Sequence, residues 1–275
     1  SLHDALPISR LVLFRSAKDR AQLQPLLDWL RESGTPVQDI SPDNARQLEP
    51  GLSPDAPLDS VVLLPSAASG NCRLFAQMLR QGMQSAGVQF AFNTPVTALS
   101  SEPTGLWLQG EPDMRRFDAV VLCAGAASPA LLRPRGLKLP MASVFGYSVS
   151  APLREATHAP LTSAIDAQQQ ITITRQGQRI RIAGGAEVGS PQAPHHHATL
   201  QKLYRAVNDW FPGGAQLSGS LQIWRGARPT LPDGAPALGN SGLPGSTATP
   251  EPLRFSTFWP AFWRVCAALM ASSAS

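Results

Sequence analysis

Lysine and cysteine are both scarce in this 275-residue chain, and its positive charge is concentrated nowhere. Of the 23 basic residues only three are lysines, the arginines are scattered, and the formal net charge is +4. Nucleic-acid binding needs Lys and Arg clustered on one face or in one run, so we expect no nucleic-acid partner. The three cysteines lie far apart, with neither a CxxC pair nor the spacing of a zinc site. This pattern fits a reducing compartment, with buried thiols as the default.

The chain also lacks a long apolar segment. A helix that crosses a bilayer needs about 20 apolar residues in a row, and the longest candidate, Phe258–Met270, is shorter and contains Arg264. With 43% hydrophobic and 15% charged residues, the composition is typical of a globular protein, and the length allows one large domain or two ordinary ones. Ser1–Ser9 lacks the shape of a signal peptide. We treat it as a scar of cloning or assembly and expect the chain to be a fragment.

A strand, a helix and a second strand are predicted in the first third of the chain. The apolar run Val61–Leu64 precedes a helical pattern over 71–86, and Val88–Phe92 then alternates as a strand does. The residues of the helix expected to face inward are Leu74, Phe75, Met78 and Leu79. Strand, helix and strand within about thirty residues indicate a βαβ unit.

Small residues follow an apolar run at Phe117–Ser128. Val120–Leu122 is continuous, as expected for a parallel strand buried on both faces, and Cys123 within it is expected to be an inert buried thiol. Ala124–Ala127 allows close approach of the backbone, and Ser128 then caps a short helix. A strand end that leads into a helix N-terminus can hold a phosphate. It can equally be only a tight junction.

The middle of the chain changes to short alternating patterns, which predict strands around one helix. The strands are expected at Val144–Val149, Leu161–Ile165, Ile171–Thr174 and Arg179–Ala183, and the helix at Pro194–Phe211. Strands in series indicate a mostly antiparallel sheet, unlike the βαβ pattern before it, and therefore two domains. Because no acidic or cysteine ligand is spaced suitably from His195–His197, we expect a solvated loop there rather than a metal site.

Two arginines follow the last strand-like stretch. Ser218–Trp224 alternates as a strand does, and the rigid turn Pro232–Gly234 comes shortly after it. Between them lie Arg225 and Arg228. A guanidinium in such a place can form two parallel hydrogen bonds to a substrate carboxylate. The alternative is an ion pair with a carboxylate of the protein itself.

Short blocks of residues in a fixed order carry a family resemblance. They are Ser69–Cys72, Phe92–Val96, Ala124–Ala126, Gly146–Ser148, Ile171–Arg175, Arg179–Glu187 and Trp224–Pro229. The last block, with the turn after it, is similar to the Gly-x-Arg-Pro and Pro-Asp-Gly-x-Pro segment of flavin-dependent amine oxidoreductases of the D-amino acid oxidase superfamily. Within that superfamily the chain most resembles the D-amino acid dehydrogenase small subunit. The resemblance covers roughly residues 11–245.

The chain departs from the family pattern at three places. No G-x-G-x-x-G follows a strand, although in a dinucleotide fold those glycines bring a helix N-terminus to the pyrophosphate. The family carries this fingerprint near its N-terminus, so the segment that seats FAD is expected to be missing. After Gly245 the family's Gly-His-Gly stretch is replaced by an atypical tail, which we attribute to a shift of reading frame. Phe145 stands where a basic residue is usual.

The resemblance implies an α/β fold. A partial FAD/NAD(P)-binding, Rossmann-like domain would be joined to a mixed, mostly antiparallel β substrate domain. The expected segments are a linking segment of the substrate domain over 10–60, a portion of the FAD domain over 61–135, the β-rich substrate domain over 136–224, a return to the FAD domain over 225–245 and the atypical tail over 246–275.

The resemblance also implies site residues. Arg228 would hold the substrate carboxylate, and Tyr147 either hydrogen-bonds that carboxylate or simply packs. The residues expected to contact FAD are Val96, Ala124, Gly125, Ala126 and Gly234.

The implied activity is the oxidation of D-amino acids to 2-oxo acids by hydride transfer to FAD. Electrons would then pass to an acceptor other than oxygen, whose identity is open. A cytoplasmic location is implied, and peripheral association of the full-length protein with the inner membrane is allowed. Two alternatives stay open: a related amine oxidase that acts on glycine or sarcosine and uses oxygen, and a catalytically inactive folded fragment without FAD.

Overall fold

An eight-stranded sheet organises the protein. The computed structural model describes residues 9–239. The strands are β1 (Arg10–Phe14), β2 (Gln38–Ile40), β3 (Ser60–Leu64), β4 (Val96–Ser101), β5 (Thr104–Leu108), β6 (Arg115–Arg116), β7 (Ala142–Pro152), β8 (Ser163–Asp166), β9 (Ile171–Gln176), β10 (Arg179–Val188) and β11 (Gln222–Thr230). The large sheet has the order β11-β7-β10-β9-β8-β1-β3-β2, and β4-β5-β6 form a second sheet. Among these pairs β1–β8 is parallel and the others are antiparallel.

Five α-helices accompany the strands in the described residues. They are α1 (Ala17–Glu32), α2 (Pro42–Leu48), α3 (Cys72–Ser85), α4 (Ser128–Leu132) and α5 (His197–Trp210). Side-chain oxygens of Ser16, Ser41 and Asn71 accept backbone N–H groups at the first turns of α1, α2 and α3, which satisfies donors that a helix start leaves free. Within residues 9–239 no helix is long and apolar enough to cross a membrane.

Two apolar clusters cover the two faces of the large sheet. One contains Leu203 and Trp210 of α5 with Ile182 and Val149 of the sheet. The other contains Leu27 and Leu30 of α1 with Val12, Phe14, Val62 and Leu64. Alternation along β1 explains the division, because Leu11 and Val12 point to opposite faces. The predicted α/β fold with a mostly antiparallel sheet and a helix near 194–211 is confirmed.

The predicted βαβ unit is wrong. β3 pairs antiparallel with both β1 and β2, so it belongs to the large sheet. Residues 88–92 and 118–124 form no strand. Val121 is 84% exposed and Cys123 is also exposed, so neither is the buried residue that the apolar run predicts. The expected inward face of α3 is likewise wrong within the described structure, where no residue of α3 is buried.

Glu49, which follows α2, is a fully buried acid that hydrogen-bonds to the loop before β8. Its carboxylate accepts hydrogen bonds from the backbone N–H of Leu161, at 2.8 Å, and of Thr162. Burial raises the pKa of Glu49, and the hydrogen bonds from Thr162 and Leu161 lower it only in part. The neutral carboxyl is therefore more favoured in the folded protein than in the unfolded chain.

This raised pKa predicts how Glu49→Gln changes the pH dependence of stability. The folded protein binds more protons at this site than the unfolded chain, so wild-type stability falls as pH rises from about 4.3 through the raised value. The variant has no such titration, so its free energy of unfolding should rise relative to that of the wild type, by about 1.4 kcal/mol per pH unit between the unfolded and the raised pKa. Urea unfolding of both proteins between pH 4 and 8 measures this. A wild type that gains on the variant with rising pH would contradict it.

Candidate functional site

Arg228 lies on β11, the edge strand of the large sheet. β11 runs antiparallel to β7, with Arg228 opposite Val144 and Gly226 opposite Gly146. Because side chains alternate along a strand, Trp224 and Arg228 point to the same face, on either side of Gly226. The two facing glycines leave that part of the sheet without side chains.

Arg228 and Trp224 use the space that these glycines provide. A Cβ atom at position 146 would overlap Nη2 of Arg228, and one at position 226 would overlap the indole of Trp224. The guanidinium therefore lies across the backbone of Gly146, and the indole, 44% exposed, lies across Gly226. Only glycine permits so close an approach to the backbone. We call this surface of Gly146, Gly226, Trp224 and Arg228 the glycine floor.

A bulge in β10 helps to hold the Arg228 guanidinium. The register of β10 on β7 shifts between Gly184 and Glu187, and Gly185 within the shift has a φ of 85°. The carbonyl of Gly185 accepts a hydrogen bond from Nη1 of Arg228 at 3.2 Å. Arg228 is half-buried, and this partial desolvation of the cation lowers its pKa. A partly desolvated, planar cation in a fixed position suits two-point binding of a carboxylate.

Tyr147 belongs to a different cluster. Its hydroxyl donates to Oε2 of Glu187 and accepts from the backbone N–H of His196, at 3.0 Å, and from Nε of Arg225, at 3.1 Å. Nη2 of Arg225 also lies 3.3 Å from Oε1 of Glu187. The guanidinium carbon of Arg225 lies 3.6 Å from the centre of the Phe145 ring. The hydrogen bond from Tyr147, with the nearby Arg225, lowers the pKa of Glu187. These contacts tie β7, β10 and β11 to the start of α5.

The structure does not bring Tyr147 and Arg228 together. Tyr147 is 1% exposed and follows Gly146 directly, so alternation puts its side chain on the face opposite to the glycine floor. A phenol has one proton to donate and two lone pairs to accept with, and the cluster uses all three. In the described structure the Tyr147 hydroxyl is therefore engaged within its own cluster.

Sequence reasoning missed Arg225 and Glu187 as partners of Tyr147. A usable signal was present for Arg225: it is three residues before Arg228, and an odd spacing on a strand puts two side chains on opposite faces. Phe145, which stands where the family usually has a basic residue, has a physical role here, because its ring stacks on the Arg225 guanidinium.

Only some of the residues predicted to contact the flavin lie close to one another. Gly125, with φ 54°, opens the 3₁₀ turn Gly125–Ala127, which contacts the end of β11, and a Cβ on Gly125 would lie 3.8 Å from Cγ of Pro229. Gly234, with φ 71°, closes a turn just after β11. Val96 is the first residue of β4. This strand is in contact with α4, the helix that follows the small-residue turn. Ala124 and Ala126 are both exposed.

These residues fit one wall of a flavin site and not a whole one. Space is open around Gly125 and Gly234, where an added Cβ would meet at most the ring of Pro229 within 4 Å. Nowhere in the 275 residues, however, is there a G-x-G-x-x-G turn to hold a pyrophosphate. α4, after the small-residue turn, has only five residues. The described residues therefore offer no glycine turn of this kind for the pyrophosphate of FAD.

The three successive histidines lie at the start of α5. Nδ1 of His196 is 3.0 Å from Oγ1 of Thr199, and the ring of His195 meets that of Tyr147 edge-on. Between Ser9 and Gly239 the structure contains no group of side chains able to hold a metal ion.

Comparison with known proteins identifies the family. Residues 6–253 match the model of the DAO family, described as FAD dependent oxidoreductase. The chain belongs to this family. Three of the blocks that carry the resemblance lie on neighbouring strands: Gly146–Ser148 on β7, Arg179–Glu187 on β10 and Trp224–Pro229 on β11.

Named relatives within the FAD dependent oxidoreductases are D-amino acid dehydrogenases. That of Cereibacter sphaeroides (strain ATCC 17029) is 37% identical over 243 residues, covering 86% of this chain and 54% of the relative. That of Xylella fastidiosa (strain 9a5c) is 33% identical over 239 residues, covering 84% and 54%. The chain thus spans about half the length of the curated relatives it matches.

Solved structures agree on the fold. Glycine oxidase from Geobacillus kaustophilus superposes with a TM-score of 0.76 at 21% identity, covering 88% of this chain and 65% of that one. L-proline dehydrogenase from P. horikoshii gives 0.73 at 15% identity, covering 98% and 74%.

Proposed function

We propose that this chain supplies the substrate-binding part, and a portion of the flavin domain, of an FAD-dependent D-amino acid dehydrogenase. The observation that carries the proposal is the Arg228 guanidinium held against Gly146 of the glycine floor by its hydrogen bond to the Gly185 carbonyl. Identities of 33–37% to proteins named D-amino acid dehydrogenase support the choice of substrate class.

Arg228 would bind the substrate carboxylate through two parallel hydrogen bonds. Two contacts fix both the position and the rotation of the carboxylate, and therefore the direction of the Cα–H bond. The Tyr147–Glu187–Arg225 cluster would act on the substrate only indirectly, by holding β7 and β11 in register beneath Arg228. When bound, FAD would supply the acceptor for the hydride that leaves Cα. The part of the chain that faces it would be formed by Val96, Ala124, Gly125, Ala126 and Gly234.

The 275-residue chain alone is expected not to retain FAD. The pyrophosphate needs a glycine turn at a helix N-terminus, where backbone N–H groups and the helix dipole stabilise its charge, and the chain has no such turn. Absorbance at flavin wavelengths after purification in excess FAD measures retention. A stoichiometric yellow cofactor would refute the expectation.

A chimera tests the activity. This chain replaces the matched part of the Cereibacter sphaeroides relative, so that the unmatched part of that relative supplies the rest of the enzyme. The chimera is expected to bind FAD and to reduce an artificial electron acceptor with D-amino acids. Activity with glycine or sarcosine and oxygen in place of D-amino acids would favour the amine oxidase alternative, and a flavin-loaded but inert chimera would reject the proposal. Sedimentation of the chimera with lipid vesicles tests whether the full-length protein associates peripherally with the inner membrane.

A further inference from the structure

Two further arginines lie on the same face of the large sheet as Arg228. They are Arg10 of β1 and Arg181 of β10, and their neighbours along the strands belong to the apolar cluster beneath α5. Alternation therefore turns both arginine side chains to the opposite face. That face also carries Arg228, because Gly146, over which its guanidinium lies, alternates with the buried Tyr147. Three cations from three strands thus share one face of the sheet.

A row of hydroxyl side chains crosses the sheet between Arg10 and Arg181. Ser163 pairs with Arg10 in the register of β1 and β8, and Thr174 pairs with Arg181 in the register of β9 and β10. The hydroxyl oxygens of Ser163 and Thr174 are 3.2 Å apart, which joins the two halves of the row. Ser150 of β7 continues the row beyond Arg181. From Arg10 to Ser150 the row consists of cations and hydroxyls and contains no Asp or Glu.

The segment at the start of α3 interacts with both ends of this row. Nη2 of Arg10, a residue that is only 8% exposed, donates to Oγ of Ser69 at 3.5 Å. Burial lowers the pKa of Arg181, and its electrostatic interaction with Cys72, the first residue of α3, raises that pKa only in part. Ser69 and Cys72 are three residues apart, so both arginines interact with one short segment. The N-terminus of α3 lies there as well, and its dipole favours an anion.

The row and the glycine floor are close enough for one substrate to contact both. Ser150 is four residues from Gly146 on β7, which is about 13 Å along a strand. The side chains between them on this face are small: Ser148 on β7, with Ala183 opposite it on β10 and Thr172 beside that on β9. A substrate side chain that leaves Arg228 along these residues reaches the row.

We propose that the substrate carries a second carboxylate on its side chain, which Arg10 and Arg181 bind while Arg228 binds the α-carboxylate. The substrate would then be an acidic D-amino acid, D-glutamate or D-aspartate. This inference rests on the proposed function, which places the α-carboxylate at Arg228. Arginine suits the role because its guanidinium stays charged and can form two parallel hydrogen bonds to a carboxylate. The hydroxyls of Ser163 and Thr174 would donate to the same carboxylate.

Pairs of substrates that differ only in charge test the proposal. In the chimera, kcat/KM should be at least about ten-fold higher for D-glutamate than for D-glutamine, or for D-aspartate than for D-asparagine, because the amide forms no charge-assisted hydrogen bond. Arg10→Gln and Arg181→Gln should each lower this ratio by about ten-fold. Arg205→Gln is the matched control and should keep the ratio, since it removes the same charge from an exposed position of α5, which packs on the other face of the sheet.

A chimera with no preference for the acid in either pair would overturn the inference, and this result needs no variant to fold. A preference that Arg10→Gln and Arg181→Gln both retain would overturn it too, as would one that Arg205→Gln lowers equally. Where a glutamine variant loads no flavin, Arg10→Lys or Arg181→Lys replaces it. The lysine variant should also lower the ratio, because it loses the two-point contact.

Binding of compounds that cannot be oxidised separates this inference from the proposed function. Glutarate and its monoamide have no amino group, and the change in flavin absorbance of the chimera on titration gives the Kd of each. If glutarate binds about ten-fold more tightly but no D-amino acid is oxidised, the proposed function alone is rejected. If neutral D-amino acids are oxidised but glutarate and its monoamide bind equally, this inference alone is rejected.

Discussion

Asp166→Ala should lower the free energy of unfolding by about 3–5 kcal/mol. Asp166 is fully buried, and its Oδ2 accepts from Nε1 of Trp210 at 2.8 Å and from Nε of Arg15 at 2.9 Å, while Oδ1 accepts from the backbone N–H of Gln169 at 3.0 Å. The substitution leaves a guanidinium, an indole N–H and a backbone N–H without this acceptor. Since domains have total stabilities of about 5–15 kcal/mol, such a loss is severe.

Asp209→Ala is the control for this prediction. Asp209 accepts from the same Arg15 at 2.8 Å, but its side chain is 40% exposed, so its removal should cost about 1 kcal/mol or less. Urea unfolding followed by circular dichroism measures both variants. If the two lose equal stability, the buried junction of β1, β8 and α5 at Asp166 is not the strong contact that its geometry indicates.

The antiparallel sheet and α5 were predictable because their partners lie within the described chain. Alternation in Val144–Val149 and Arg179–Ala183 identifies residues that β7 and β10 bury against α5, and those residues are buried. The same reasoning failed at α3 and at Val120–Leu122, where the patterns identify side chains suited to burial but not the polypeptide that buries them. Hydrophobic periodicity reports a need for a partner and carries no information on which chain supplies it.

Arg228 is a prediction from the family resemblance, and its surroundings could not be predicted from the sequence. The Gly146–Gly226 pair that makes room for its guanidinium depends on the register between β7 and β11. Register is fixed by pairing across the sheet, which a single sequence does not display. The hydrogen bonds that occupy Tyr147 come from residues 40 to 78 positions away and share that dependence.

Arg228→Lys in the chimera should reduce kcat/KM for a D-amino acid by roughly ten- to a hundred-fold. Lysine keeps the charge but not the planar two-point contact, and loss of one charge-assisted hydrogen bond costs about 1.5–3 kcal/mol. Arg225→Lys should act differently, because Arg225 stacks on Phe145 and binds Glu187 and Tyr147. It should lower the melting temperature, with kinetics near normal in the folded enzyme. Thermal melting and steady-state kinetics of both variants separate the two roles.

Gly146→Ala provides an independent approach to the same site. The added Cβ would overlap the Arg228 guanidinium and displace it, so kcat/KM should fall although every charged group is kept. Gly219→Ala is the control, because a Cβ there meets no atom within 4 Å. If Arg228→Lys and Gly146→Ala both melt at lower temperature with unchanged kcat/KM, Arg228 serves only as an internal contact of the protein. A kinetic loss shared by these two variants and absent from Gly219→Ala would instead locate carboxylate binding on the glycine floor, since only that surface is altered by both.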